Sequence, residues 1–409
     1  MAAFVIAGGG LAAAKAAETL RDEGFDGEIV LVGAEPVRPY ERPPLSKGYL
    51  LGSDERDSVF VHPADWYAEH QVDLREGVTV TAIDRAAATV TTSGPGGPQT
   101  LPYDKLLLAT GATPRRLDFP GSGSDEVLYL RTLADSDRLR AAFQPGTRVV
   151  IAGAGWIGLE TAAAARTADC HVTVLEPEPT PLHAQVGPEL GAIFANLHRA
   201  HGVEFRFGEY AAEFRPRPGA RGGIVITSAG AELTADVMVV GIGAAPNEEL
   251  AAQAGLEVSG GVVTDEALRT SDPNIFAAGD VARSFNPLLG RRVRVEHWAN
   301  ALNGGPAAAK SMLGQTVVYD PVPYFYSDQY ELGMECSGLP EPGSYDQVVY
   351  RGDPKTLEFI AFWLFESVVI AGMNVNVWDV TDDIGALIRS HGKVDIGRLV
   401  DTDIPLSDI

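Results

Sequence analysis

Phe4–Glu18 reads FVIAGGGLAAAKAAE, and Val149–Ala163 reads VVIAGAGWIGLETAA. Each is an apolar run, then a glycine-rich turn, then an alanine-rich segment. A short apolar run closed by glycines reads as a buried strand, and the alanine-rich continuation as a helix. A second apolar run follows each copy, at Glu28–Val32 and at His171–Leu175. Each copy is therefore a βαβ unit, whose two strands must run parallel. This is the chain's one internal repeat, and it commits the fold to two α/β sheets. Further buried strands are expected at Asp104–Ala109, Val237–Gly241 and Asn274–Ala278, and a helix of small residues after Ala299.

The two turns share a spacing. The first is Gly8-x-Gly10-x-x-Ala13, with Leu11 and Ala12 opening the helix and Glu35 after the second strand. The second is Gly153-x-Gly155-x-x-Gly158, with Ile157 inside the turn and Glu176 after its strand. In this pattern one glycine makes the tight turn and the next lets backbone approach a pyrophosphate. The third small residue lets helix and strand pack closely. The free N–H groups of the helix start favour an anion there. The acid suits a ribose diol, and at Glu176 it would repel a 2′-phosphate, which favours NADH over NADPH. Glu178 adds a second acid nearby and no arginine follows. Gly241 and Gly243, at the end of the Val237–Gly241 run, are counted with this second site. Two loops imply two nucleotides, and hydride transfer from a nicotinamide to a flavin is the chemistry that pairs them.

At roughly 150 residues per domain, 409 residues suggest about three domains. From about Pro321 aromatic residues become dense, with strand-like runs at Gln347–Tyr350 and Phe359–Phe365 and a helical pattern near Asp383–Ser390. This reads as a third, α+β domain. Ser93–Pro98 (SGPGGP) reads as a hairpin or loop tip. The net charge of −23 argues against nucleic acid and against anionic lipid. Cys170 and Cys336 are the two cysteines, too far apart in sequence for a CxxC pair. No metal-ligand cluster, no signal-peptide pattern and no membrane-length apolar run is seen, so a cytoplasmic location is the default expectation.

Several separated motifs now matter together: Arg42–Lys47 (RPPLSK), Ala109–Gly111 (ATG), Tyr129–Leu133 (YLRTL), Gly158–Glu160 (GLE), Ala278–Asp280 (AGD), Glu296–Ala301 (EHWANA) and Tyr326–Tyr330 (YSDQY). With them the whole chain resembles the FAD-dependent, pyridine-nucleotide-linked ferredoxin reductases. The resemblance implies a glutathione-reductase-like α/β fold: two Rossmann-like dinucleotide-binding domains plus a C-terminal α+β domain. The FAD domain would comprise residues 1–112 and 243–319, the NAD domain 113–242, and the C-terminal domain 320–409.

The resemblance also implies roles. Glu35 would hold the adenosine ribose of FAD. Arg42, Lys47 and Arg131 would lie near the pyrophosphate or the flavin ring, and Val80 would meet the adenine. Ala109, Thr110, Gly111, Gly279, Asp280, Glu296, His297 and Trp298 would complete the FAD site, with Asp280 on the ribityl chain. Lys47 and Glu160 would pair beside the flavin and are the expected catalytic pair, because an ammonium stabilises the anionic reduced flavin. With no redox dithiol to receive them, electrons would leave the flavin directly for a small, acidic iron–sulfur ferredoxin that serves a cytochrome P450 or a dioxygenase. The acidic chain would need a basic patch for that encounter, and Gly290–Arg294 (GRRVR) is a candidate. The competing readings are a reductase of rubredoxin, a quinone or monodehydroascorbate, and a redox-switched binding protein similar to apoptosis-inducing factor. A monomer or a homodimer is compatible with the sequence.

Overall fold

The apolar runs before the two glycine loops lie at the middle of two parallel sheets in the computed structural model, which describes residues 2–217, 219 and 221–409. Two compact units divide the chain. One holds the residues up to Glu41, Arg56–Thr113 and Ala244–Pro323; the other holds Arg42–Glu55, Pro114–Gly243 and Tyr324–Ile409.

In the first unit, strand Ala3–Ala7 is flanked by Lys105–Leu108 on one side and Glu28–Gly33 on the other. Ile275–Ala277 and Val72–Glu76 close the two edges, and every pairing is parallel. Alternate residues leave opposite faces of a strand. Phe4 and Ile6 accordingly join one core, with Ala13, Ala16, Ala17 and Leu20 of helix Leu11–Asp22. Val5 and Ala7 join another, with Val30, Val32, Val90 and Leu256. Burial on both faces explains why these strands read as unbroken apolar runs. Helix Trp298–Met312 lies against helix Leu11–Asp22, with Ala308 and Ala309 in the shared core. The approach is close enough that a Cβ on Gly305 would stand 2.3 Å from the carbonyl oxygen of Ala12. The unit also holds a three-stranded antiparallel sheet, Thr79–Asp84, Thr89–Ser93 and Gln99–Pro102, whose last two strands the SGPGGP segment joins, and a small sheet of Val262–Thr264, Ala282–Asn286 and Arg291–Val293.

The second unit repeats the design. Strand Arg148–Ala152 pairs in parallel with His171–Glu176 and with Val237–Val240, and Glu204–Phe207 and Val127–Tyr129 form the edges. Helix Trp156–Thr167 buries Leu159, Thr161 and the alanines 162–165. A five-stranded antiparallel sheet follows in the order Tyr324–Gln329, Leu332–Gly338, Val368–Val375, Glu358–Phe365, Gln347–Asp353. Phe359–Leu364 is buried on both faces, with Trp363 fully enclosed. Helix Thr381–Ser390 buries Ile384, Leu387 and Ile388, and a Cβ on Gly372 would meet Ile384 at 2.6 Å. The fold class is thus two Rossmann-like dinucleotide-binding folds with a C-terminal α+β part.

Candidate functional site

In the first unit, the Gly8 amide donates to the Val32 carbonyl at 2.9 Å and the residue takes a φ of +135°. A Cβ there would stand 2.0 Å from the carbonyl oxygen of Ala109, so the turn accepts only glycine. Gly10 is different. It caps helix Leu11–Asp22 in an extended conformation, without any side-chain cap, and a Cβ would meet nothing within 4 Å. The opening amides of a helix have no intrahelical partner. An uncapped helix start beside space that a side chain would fill is a cradle that fits a pyrophosphate. Leu11 and Ala12 are buried beneath it, and Ala13 is fully enclosed.

The other expected FAD residues are distributed around this loop to different degrees. Ala109 walls the turn at Gly8. The Thr110 hydroxyl donates to the Asn247 carbonyl at 2.9 Å, the Asn247 side-chain amide donates back to Thr110, and the Asn247 N–H donates to the Gly111 carbonyl. Gly279 (φ +76°) starts a turn that carries Asp280, and its Cβ position lies 3.3 Å from Ala12. Glu35 is half-buried and accepts the Tyr40 hydroxyl at 2.6 Å. His297 caps helix Trp298–Met312, and Trp298 is its first residue. Burial pushes the His297 imidazole down to about 4, against the attraction of Asp280, so it is neutral at pH 7. Val80 belongs to the antiparallel sheet and packs against the core that holds Val5 and Ala7, and exposed Glu296 pairs with Arg294. Arg291 and Arg292 are exposed on a short strand, Arg291–Val293, in a segment whose sequence also suits a loop.

In the second unit, Gly153 has a φ of +98°, and a Cβ there would stand 2.4 Å from the carbonyl oxygen of Gly241. Gly155 caps helix Trp156–Thr167, again without a side-chain cap. A Cβ at Gly158 would stand 2.1 Å from the Gly153 carbonyl oxygen. The third position therefore tolerates only glycine here, whereas the first loop accommodates Ala13. Ile157 is 41% exposed at the mouth of the loop. Glu176 accepts the Ala154 N–H at 2.7 Å and the Glu178 N–H at 3.0 Å, which fixes its carboxylate at the loop. Gly243 is exposed, and its carbonyl accepts the Arg115 N–H.

The same unit holds an ion pair. Lys47 follows the turn Pro43–Ser46, and its Nζ lies 2.7 Å from Oε1 of Glu160 on helix Trp156–Thr167. Glu160 is only 5% exposed. Burying a carboxylate is costly unless it is paired and hydrogen-bonded. Here the Ser46 hydroxyl donates to Oε2, and the Ser327 hydroxyl donates to Oε1 at 2.7 Å. Lys47 also lies over the Tyr326 ring at 5.5 Å. The Arg42 guanidinium donates to the Arg131 carbonyl, and the Arg131 N–H donates to Asp135 at 3.2 Å. Ser46 and Ser327 were not among the residues the sequence assigned. Both lie inside recognisable motifs, PPLSK and YSDQY, and that was the available signal.

Residues 2–305 match the family model described as pyridine nucleotide-disulphide oxidoreductase. The chain belongs to this family. Residues 324–409 match a second model, described as reductase C-terminal. The ferredoxin–NAD(+) reductase component of the anthranilate 1,2-dioxygenase system of Burkholderia cepacia is 41% identical over 98% of each chain. Putidaredoxin reductase of Pseudomonas putida is 37% identical over 99% of this chain and 96% of its own. Among solved structures, the covalent putidaredoxin reductase–putidaredoxin complex matches with a TM-score of 0.94 at 37% identity, covering 99% of this chain and 97% of that one.

For a member of a disulphide oxidoreductase family, the cysteines of this chain are unusual. Cys170 and Cys336 are both free and fully buried. Burial pushes both thiols up, away from the reactive thiolate. Neither is suited to redox chemistry, so in this pyridine nucleotide-disulphide oxidoreductase the reducing equivalents have no dithiol to pass through.

Proposed function

We propose that this protein is an FAD flavoprotein that takes reducing equivalents from NADH and delivers single electrons to an iron–sulfur ferredoxin serving a cytochrome P450 or a dioxygenase. The observation that carries the reading is the pair of uncapped glycine-loop helix starts in one chain that offers no redox dithiol. The printed functions of the full-length relatives support it. On this reading residues 1–112 and 243–319 form the FAD domain, 113–242 the NAD domain and 320–409 the C-terminal domain, and the protein works in the cytoplasm. No described helix is long and apolar enough to cross a membrane.

Bound FAD supplies the conversion between a two-electron hydride donor and one-electron acceptors. The chain's own residues do the rest. The amides at the Leu11 and Trp156 helix starts bind the two pyrophosphates, and Gly10 and Gly155 keep the approach open. Glu35 and Glu176 accept ribose hydroxyls, and Glu176 disfavours a 2′-phosphate by charge. The Lys47 ammonium offsets the negative charge of the reduced cofactor. Glu160 holds that ammonium in place, and Ser46 and Ser327 hold Glu160.

The acceptor class is tested by supplying the holoenzyme and NADH with ferredoxins, rubredoxin, a quinone and monodehydroascorbate in parallel. Fastest turnover with a ferredoxin supports the reading. Fastest turnover with another acceptor replaces it, and slow turnover with all of them favours a redox-switched binding protein.

A further inference from the structure

Ser327 and Gln329 stand two residues apart on strand Tyr324–Gln329, so their side chains leave the same face. Each is 1% exposed, whereas Asp328 between them is exposed. His198, on helix His183–Ala200, is fully buried. His198 Nε2 lies 2.8 Å from Gln329 Oε1, and Gln329 Nε2 lies 3.0 Å from Ser327 Oγ. Ser327 Oγ lies 2.7 Å from Glu160 Oε1. A continuous line of hydrogen bonds therefore runs from His198 to the carboxylate that pairs with Lys47.

The donors decide its direction. An amide oxygen only accepts, so His198 must carry its hydrogen on Nε2. An amide nitrogen only donates, so Ser327 Oγ accepts from Gln329 and sends its own hydrogen to Glu160. Every hydrogen along the line points toward Glu160. Turning the Gln329 amide over would reverse the line. Ser327 would then donate to Gln329, Glu160 would have to be a protonated donor, and the His198 hydrogen would move to Nδ1. Lys47 at 2.7 Å and the Ser46 hydroxyl both act on the same carboxylate and oppose that arrangement. Burial pushes His198 down to about 4, so at pH 7 it is neutral and has a defined tautomer. Its Nδ1 faces the Tyr330 hydroxyl at 3.5 Å, and the Tyr330 ring stacks on His201 at 3.7 Å. The other charged groups of this neighbourhood are Asp328 on the same strand, Glu335 on the adjoining strand Leu332–Gly338, Glu331, which pairs with His201, and Arg166, which acts on Tyr330.

We infer that Gln329 and His198 are positioning residues for Glu160, acting through Ser327 as a one-way chain of hydrogen-bond donors that fixes the carboxylate facing Lys47. The catalytic consequence rests on the function proposed above; the direction of the chain does not.

The test uses the holoenzyme with ¹⁵N-labelled histidine. The His198 ring signals, assigned through their loss in His198→Gln, report a neutral ring with its hydrogen on Nε2 at pH 7. In Gln329→Glu, Ser327 loses its donor; in Ser327→Ala, the link to Glu160 is removed. Each variant reduces its flavin about tenfold more slowly at saturating NADH, with NADH affinity unchanged, as expected for losing a hydrogen bond to a charged group. Ser327→Thr keeps the hydroxyl and restores the rate. A hydrogen on Nδ1 of His198 in the wild-type protein would overturn the inference, and so would wild-type rates in both Gln329→Glu and Ser327→Ala. If NADH does not reduce the wild-type flavin, the proposed function fails while the tautomer still judges the chain.

Discussion

Lys47 Nζ stands 2.7 Å from Glu160 Oε1, with 17% of the lysine side chain and 5% of the glutamate exposed. A pair this enclosed costs desolvation on both sides, and the two serine hydroxyls on Glu160 offset part of it. Removing both partners should therefore cost less than the two single removals added together. Lys47→Met or Glu160→Gln alone should cost about 3 kcal/mol. The double variant should lose less than the sum, by about 1 kcal/mol or more. Equilibrium denaturation of the four proteins measures it, and strictly additive losses would mean that the pair is not coupled.

The first glycine loop separates folding from binding. Gly8→Ala forces a Cβ to within 2.0 Å of a carbonyl oxygen at a φ of +135°, so it should lower stability and yield little folded protein. Gly10→Ala meets only open space, so the fold should survive while the pyrophosphate approach is blocked. Flavin content and thermal stability of the purified variants read the two effects separately. A Gly10→Ala protein with full flavin content would show that this space is not the cofactor's.

His198 should shape the acid limb of stability. An unfolded histidine titrates near 6.5, and His198 in the fold is pushed down to about 4 by burial. As pH falls below 6.5 the unfolded chain binds the proton first. The contribution of His198 is therefore complete above pH 6.5 and is lost as pH falls toward 4, by about 3 kcal/mol. His297, also near 4, declines in the same window, so the comparison needs His198→Gln. That variant should lose about 3 kcal/mol less than the wild type between pH 7 and pH 4. Parallel pH profiles would contradict this.

Arg291 and Arg292 are exposed cations on a chain of net charge −23. If they focus an acidic ferredoxin, Arg291→Gln/Arg292→Gln should slow ferredoxin reduction severalfold, most strongly at low salt. Ferricyanide reduction, which needs no docking, should be unchanged. Equal loss with both acceptors would remove the patch from the account.

The central strands of the two parallel sheets were legible because buried strands are unbroken apolar runs; the edge strands Val72–Glu76, Val127–Tyr129 and Glu204–Phe207 were not, because they are short or interrupted by charged residues. Ala3–Ala7 and Arg148–Ala152 lie where the pattern put them. The loop glycines were legible for the same reason, since their spacing is local. The environment of Glu160 was not. Ser46 lies 114 residues from Glu160 and Ser327 lies 167 residues away, so no local period links them. His198 and Gln329 are 131 residues apart and read, each alone, as ordinary polar residues of a helix and a strand. The arginines at 291 and 292 were open to a loop reading because two arginines give no strand signal. Their pairing with Phe285 and Asn286 in an antiparallel strand supplies it.

Anaerobic rapid mixing of the flavin-loaded protein with NADH and, separately, with NADPH decides whether NADH is the electron donor. Oxidised flavin absorbance should be lost rapidly with NADH and much more slowly with NADPH, and should return on adding oxidised ferredoxin. Flavin that stays oxidised with both nucleotides would contradict this expectation.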